Sequence, residues 1–169
     1  MRRLLACIIS AEVMILGSNV VFGESYPTKI IRIVTAAPGG GNDFAVRVIA
    51  PLLSDSLGQQ VIIDNRGGNA AIPAKIVSEA APDGYTLLAY NNAMCTLPLL
   101  QRVPYSPVQD FSPITLSMNS PLILVVHPSI PAKSVKDLIT LAKARPGELN
   151  YGSGDTGGSG HLAAELFKA

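Results

Sequence analysis

The sequence predicts an α/β fold, a mostly parallel sheet covered by helices. Three observations carry that prediction. β-branched runs alternate with helix-period segments, glycine-rich turns join strand to helix, and the apolar content rests on Ala, Val, Ile and Leu with few aromatics. With 48% of its 169 residues hydrophobic and only 15% charged, the chain has the composition of a globular protein and not of a disordered one.

At the N-terminus, Met1-Arg2-Arg3 is a short positive n-region, followed by "LLACIISAEVMILGSNVVFG". Val21 and Gly23 form a small-residue cleavage site before Glu24, so residues 1–23 read as a signal peptide cleaved near Gly23. Glu12 interrupts the apolar run, and no stretch reaches the ~18 uninterrupted apolar residues of a membrane span. Leu4-Leu5-Ala6-Cys7 has the letters of a lipoprotein box, but almost no apolar segment precedes it. Cleavage leaves 11 basic and 11 acidic residues, with no block of like charge. That balance argues against nucleic acid or an anionic membrane surface as a partner. Cys95 is then the sole cysteine, which rules out an internal disulfide. It reads as a small buried apolar residue.

"KIIRIVT" (29–35) is the first strand and leads to Gly39-Gly40-Gly41. In "DFAVRVIAPLLSDSL", Phe44, Val48, Ile49, Leu52, Leu53 and Leu57 recur at helical spacing and predict one apolar face. Asn42 or Asp43 is its expected cap, Gly58 its stop, and Pro51 an expected kink. "QVIID" (60–64) is the second strand. The turn-rich "NRGGNAAIP" follows, with Pro73 in the first turn of the helix "AKIVSEAA". "YTLLAY" (85–90) is the third strand, and Asn91-Asn92 opens its loop. Residues 101–113 are proline-rich and expected to be irregular. "LILVV" (122–126) reads as a continuous buried strand. Ser134 caps "VKDLITLAKA", with Asp137 in the capping-box place, and Pro146-Gly147 ends that helix. "LNYGS" is a further short strand, and "HLAAELFK" is the last helix.

Two segments share one layout of strand, glycine-rich turn and helix: "IVTAAPGGGNDFAVR" and "LNYGSGDTGGSGHLAAELF". In parallel sheets ligands sit beyond the carboxyl ends of the strands, where such loops gather. Unpaired N–H groups and the positive end of a helix dipole can converge there on an anion. No G-x-x-x-x-G-K-[ST] is present, and neither loop spells a dinucleotide fingerprint, so a small carboxylate fits better than a nucleotide. Asp155-Thr156-Gly157-Gly158 has the letters of an aspartic-protease turn, but no second such turn or apolar lead-in strand accompanies it. Read against a serine-protease loop, Thr156 stands where the nucleophile belongs. His127 and His161 lack the further ligands a zinc site needs, and no metal or cofactor is expected. His161, beside the second glycine loop, is a ligand-facing candidate.

In order along the chain, "YPTKIIRIV", "PGGGNDFAVR", "LGQQVIIDNRGG", "APDGYTLL", "VPYSPVQDF", "PLILVVHPSIPAKSVKDLITLAKARPGELNYGS" and "HLAAELF" make up a specific set. The chain resembles, through them, the substrate-binding receptors of tripartite tricarboxylate transporters, the Bug-type periplasmic solute-binding proteins. The resemblance implies a periplasmic-binding-protein-like (type II) fold of two α/β domains hinged around a cleft. Residues 24–121 would be the first domain and 122–169 the beginning of the second. It also implies a periplasmic location, a small organic acid or related solute as ligand, and membrane permease subunits as partners. The implied ligand contacts are Pro38, Gly39, Gly40, Gly41, Asn42 and Asp43 on one jaw. On the other they are Ser153, Gly154, Asp155, Thr156, Gly157, Gly158 and Ser159, with Asn91 and Asn92 in addition. Asp155 departs from the usual glycine and brings a negative charge to an anion site. Members continue well past "HLAAELF", so the chain reads as a truncated product, a fragment or a misannotated frame, expected to be poorly stable and to bind weakly or not at all. The alternatives are a small α/β hydrolase or transferase using the same cleft, or a non-functional fragment of the receptor.

Overall fold

The computed structural model describes residues 25–169, so the expected signal peptide lies outside the described residues. The elements are β1 (Ile31–Thr35), α1 (Gly41–Leu57), β2 (Val61–Asn65), α2 (Ala71–Ser78), β3 (Thr86–Leu88), α3 (Ala93–Leu100), α4 (Val135–Ala144) and α5 (Ser159–Lys168). The three strands form one parallel sheet in the order β2-β1-β3, with Ile33 opposite both Ile63 and Leu87. The parallel α/β architecture expected from the sequence is present.

The strand order fixes where the helices go. The chain steps from β1 to β2 on one side, then passes back over β1 to reach β3. Right-handed crossovers in opposite directions place α1 and α2 on opposite faces of the sheet. Side chains alternate across a strand, and Ile33 and Val34 are both buried, so both faces of β1 are covered. One core joins Ile33 to Val46 and Ala50 of α1, with Leu53, Val61, Ile63 and Leu87 packed around it. A second joins Ala70, Ala93 and Leu97, with Tyr90 and Met94 against them.

Several expectations are corrected. The buried side of α1 is Asp43, Ala45, Val46 and Ala50, whereas Phe44, Val48 and Leu52 are more than half exposed. Small residues let the helix approach the sheet closely, and that requirement outranks the stripe of larger apolar side chains. The helix begins at Gly40 without a side-chain cap, not at Asn42 or Asp43. It runs on through Pro51 and ends as expected, at Gly58 with φ 64°.

The helix α3 was not expected, because its sequence is apolar all round and holds Pro98. Cys95 lies on it and is exposed, not buried. Neither "LILVV" nor "LNYGS" is a strand. A strand needs neighbours to satisfy its N–H and C=O groups. No strand pairs with either segment among the described residues, and Leu122–Val126 lies exposed. Ser134 does cap α4: the Asp137 N–H donates to its hydroxyl at 3.1 Å, and the Lys133 N–H donates to the Asp137 carboxylate at 3.1 Å. Among the described residues no helix is long and apolar enough to cross a membrane.

Candidate functional site

The first glycine loop leaves β1 and opens α1. Gly39 takes φ +84°, a conformation that favours glycine, and so turns the chain into the helix. One turn later Asp43, 3% exposed, points its carboxylate back under the loop. It accepts from the Gly39 N–H at 2.9 Å, from Asn65 Nδ2 at 2.8 Å and from Arg47 Nε at 2.9 Å. Asn65, at the end of β2, also donates to the Ala36 carbonyl at 2.8 Å. Arg47 completes the group by donating to Asn65 Oδ1 at 3.1 Å. Arg47 first, then Gly39 and Asn65, hold the Asp43 acid well below the usual carboxylate range. The carboxylate is therefore a fixed anchor for the loop's approach.

That anchor leaves donors free. The first N–H groups of a helix have no intrahelical partner. Among the described residues, those of Gly40, Gly41 and Asn42 make no hydrogen bond. They stand at the positive end of a 17-residue helix.

The second glycine loop is held by the helix the sequence did not reveal. Asn92, the residue before α3, donates to the Gly157 carbonyl at 3.3 Å and accepts from the Ser159 N–H and hydroxyl at 3.1 and 2.7 Å. Thr96 also donates to the Gly157 carbonyl. Gly157 has φ +80°, and a Cβ there would stand 2.9 Å from Thr96 Oγ1, so only glycine fits this contact. The Gly158 N–H closes a turn on the Asp155 carbonyl at 2.8 Å. His161 accepts from the Gly157 N–H at 3.3 Å.

Both loops border one cleft of about 670 Å³, within the usual range for small-ligand sites. It lies beyond the carboxyl ends of β1 and β3, where the chain reverses its winding direction, the expected place for a ligand in an open parallel sheet. Of the residues named from sequence, Pro38, Gly40, Gly41, Asn42, Asn91, Asn92, Gly154, Asp155, Gly158 and Ser159 line it. Gly39, Asp43, Ser153, Thr156, Gly157 and His161 do not. Gly39, Asp43, Gly157 and His161 instead hold the loops in shape. Sequence reasoning missed Gly68, Tyr90 and the segment Thr115–Ser120. The glycine pair in "NRGG" signalled Gly68; nothing marked Thr115–Ser120, which has neither periodicity nor a motif.

The lining offers neutral donors and a single carboxylate, Asp155, among the described residues. Among the described residues no three His, Cys, Asp or Glu stand together as a metal site. His127 does contact the Ser129 hydroxyl at 2.8 Å, but within one exposed turn away from the cleft. The fold and the cleft together define a class, that of small-solute binding proteins with backbone donors at helix N-termini.

The comparisons narrow that class to a family. Residues 45–169 match the tripartite tricarboxylate transporter family receptor. Protein BugT of Bordetella pertussis is 37% identical over 153 residues, which cover 88% of this chain and 47% of that protein. An R. palustris protein solved with adipate is 35% identical with a TM-score of 0.74, over 85% of this chain and 49% of that one. MatC from Rhodopseudomonas palustris, with bound malate, is 26% identical with a TM-score of 0.72, over 85% of this chain and 51% of that one. The chain belongs to the tripartite tricarboxylate transporter receptor family, and its fold is periplasmic-binding-protein-like. The family is one of receptors, so the enzyme alternative is set aside. The chain spans about half the length of the relatives it matches.

Proposed function

We propose that the protein is an extracytoplasmic receptor that captures a small organic acid and presents it to the permease of a tripartite transporter. The single observation that supports this most is the free N–H set of Gly40, Gly41 and Asn42, opening into the cleft at the N-terminus of α1. Such a set binds one carboxylate without a basic side chain. Gly160, at the start of α5, borders the cleft from the second loop. The adipate and malate held by the two R. palustris proteins support the ligand class. Export fits the n-region, apolar run and cleavage site before Glu24. Residues 24–121 would form the first domain and 122–169 the beginning of the second. Calorimetric titration of the chain with malate, succinate, glutarate, adipate and their amino-substituted analogues tests the reading. Weak but saturable one-to-one binding of at least one acid is expected, in contrast to the non-functional fragment that the sequence also allows. Heats no larger than dilution for every acid would overturn it.

A further inference from the structure

We infer that the solute carries a protonated nitrogen as well as a carboxylate, and that Asp155 is the residue that selects it. The inference rests on the receptor reading above and names its substrate class.

Asp155 is the only acidic or basic side chain lining the cleft among the described residues; no Lys, Arg or His borders it. Among the described residues its carboxylate forms no ion pair, and its polar neighbours are neutral: the Asn91 amide at 3.5 Å, the outer limit of a hydrogen bond, and the Tyr90 hydroxyl. The charge is thus weakly compensated. The turn it belongs to does not depend on it, because Gly158 bonds the Asp155 backbone carbonyl and not the side chain. The Tyr90 hydroxyl on the cleft wall is buried beside Asp155 and has no other hydrogen-bond partner. Burial, and then the neighbouring Asp155, hold that phenol well above its usual range, so Tyr90 stays a neutral donor and brings no counter-charge to Asp155.

The two jaws therefore have opposite preferences. The α1 terminus attracts an anion through Gly40, Gly41 and Asn42, while the second loop places a carboxylate without a counter-ion against the same volume. A linear dicarboxylate spanning the cleft would set its far end against a like charge, whereas an ammonium there would meet its counter-ion. A hydroxyl would gain only a hydrogen bond.

Three matched pairs test this on the full chain by calorimetry: γ-aminobutyrate with succinate, δ-aminovalerate with glutarate, and ε-aminocaproate with adipate. At least one amino acid should bind more tightly than its matched dicarboxylate. In Asp155→Asn, amino-acid affinity should fall about tenfold and dicarboxylate affinity should rise by a similar factor. The unfolding midpoint should stay nearly unchanged, since the amide oxygen of Asn can still accept from Asn91 and Tyr90. Tighter dicarboxylate binding by the wild-type chain, or an unaltered preference in Asp155→Asn, overturns the inference while leaving the receptor reading intact. If γ-hydroxybutyrate, titrated alongside the pairs, matches γ-aminobutyrate, the ammonium is wrong. If no acid or amino acid binds, the receptor reading fails and this inference with it.

Discussion

Asp43 and the glycines around it make opposite demands on substitution, and those demands separate folding from binding. Gly39 has φ +84°, so Gly39→Val strains the turn whatever space surrounds it. Gly40 has an ordinary φ of −87°, and a Cβ there would meet only the Ala37 carbonyl at 3.9 Å. Gly40→Val should therefore fold with an unchanged melting temperature yet lose binding, because its side chain enters the cleft. Gly39→Val should lose both; paired thermal melts and titrations distinguish them. The sequence marked all three glycines alike and could not show which one turns the chain. It likewise offered Asp43 as a ligand contact, because nothing in the letters shows that Asn65 and Arg47 converge on it. Asp43 also confers acid sensitivity. Its folded pKa is depressed, so its stabilisation is complete above the unfolded value of about 3.9 and is lost as pH falls through the folded value. Asp43→Asn should be less stable at neutral pH and show a flatter loss of stability below about pH 4, read from denaturant midpoints across pH.

The elements meet through α3, whose N-terminal Asn92 is the clasp between the third strand's loop and the second glycine loop. Asn92→Ala removes the acceptor of the Ser159 N–H and hydroxyl and one of the two donors to the Gly157 carbonyl, leaving Thr96 on the latter. Each such hydrogen bond contributes at most about 1 kcal/mol net, less at an exposed residue where water replaces it, so the melting temperature should fall by no more than several degrees. Ligand affinity should drop and hydrogen exchange at the Ser159 amide should accelerate. Unchanged exchange there would mean that Thr96 alone holds the loop. Most elements were legible: β1, β2, β3, α1, α2, α4 and α5 all carry alternation, helical period or caps. The helix α3 was not, since apolar residues on every side leave no period and Pro98 imitates a stop. "LILVV" failed for the opposite reason. Its composition suits a buried strand, but strand formation depends on a neighbour that composition cannot show.

For the molecule as a whole, the exposed run from Leu122 to Val126 is the feature expected to govern association in solution. Five consecutive apolar residues with unpaired backbone groups form an adhesive edge. The purified chain should associate as concentration rises, and Ile123→Lys with Val125→Lys should restore a monomer in sedimentation velocity. A wild-type chain that stays monomeric throughout would contradict this. The position of the cleft, in contrast, follows from topology alone: the order β2-β1-β3 puts a switch point between β1 and β3. The loop after each strand was visible in the sequence, while the wall from Thr115 to Ser120 was not. The central claim is that the α1 N-terminus grips the solute's carboxylate, and amide nitrogen–proton correlation spectra during titration test it most directly. With the tightest-binding acid of the panel, the signals of Gly40, Gly41 and Asn42 should move downfield together and saturate, while Gly147 and Gly152 stay still. Saturable shifts confined to other residues, such as the hollow between Val126 and Asp137, would contradict the account.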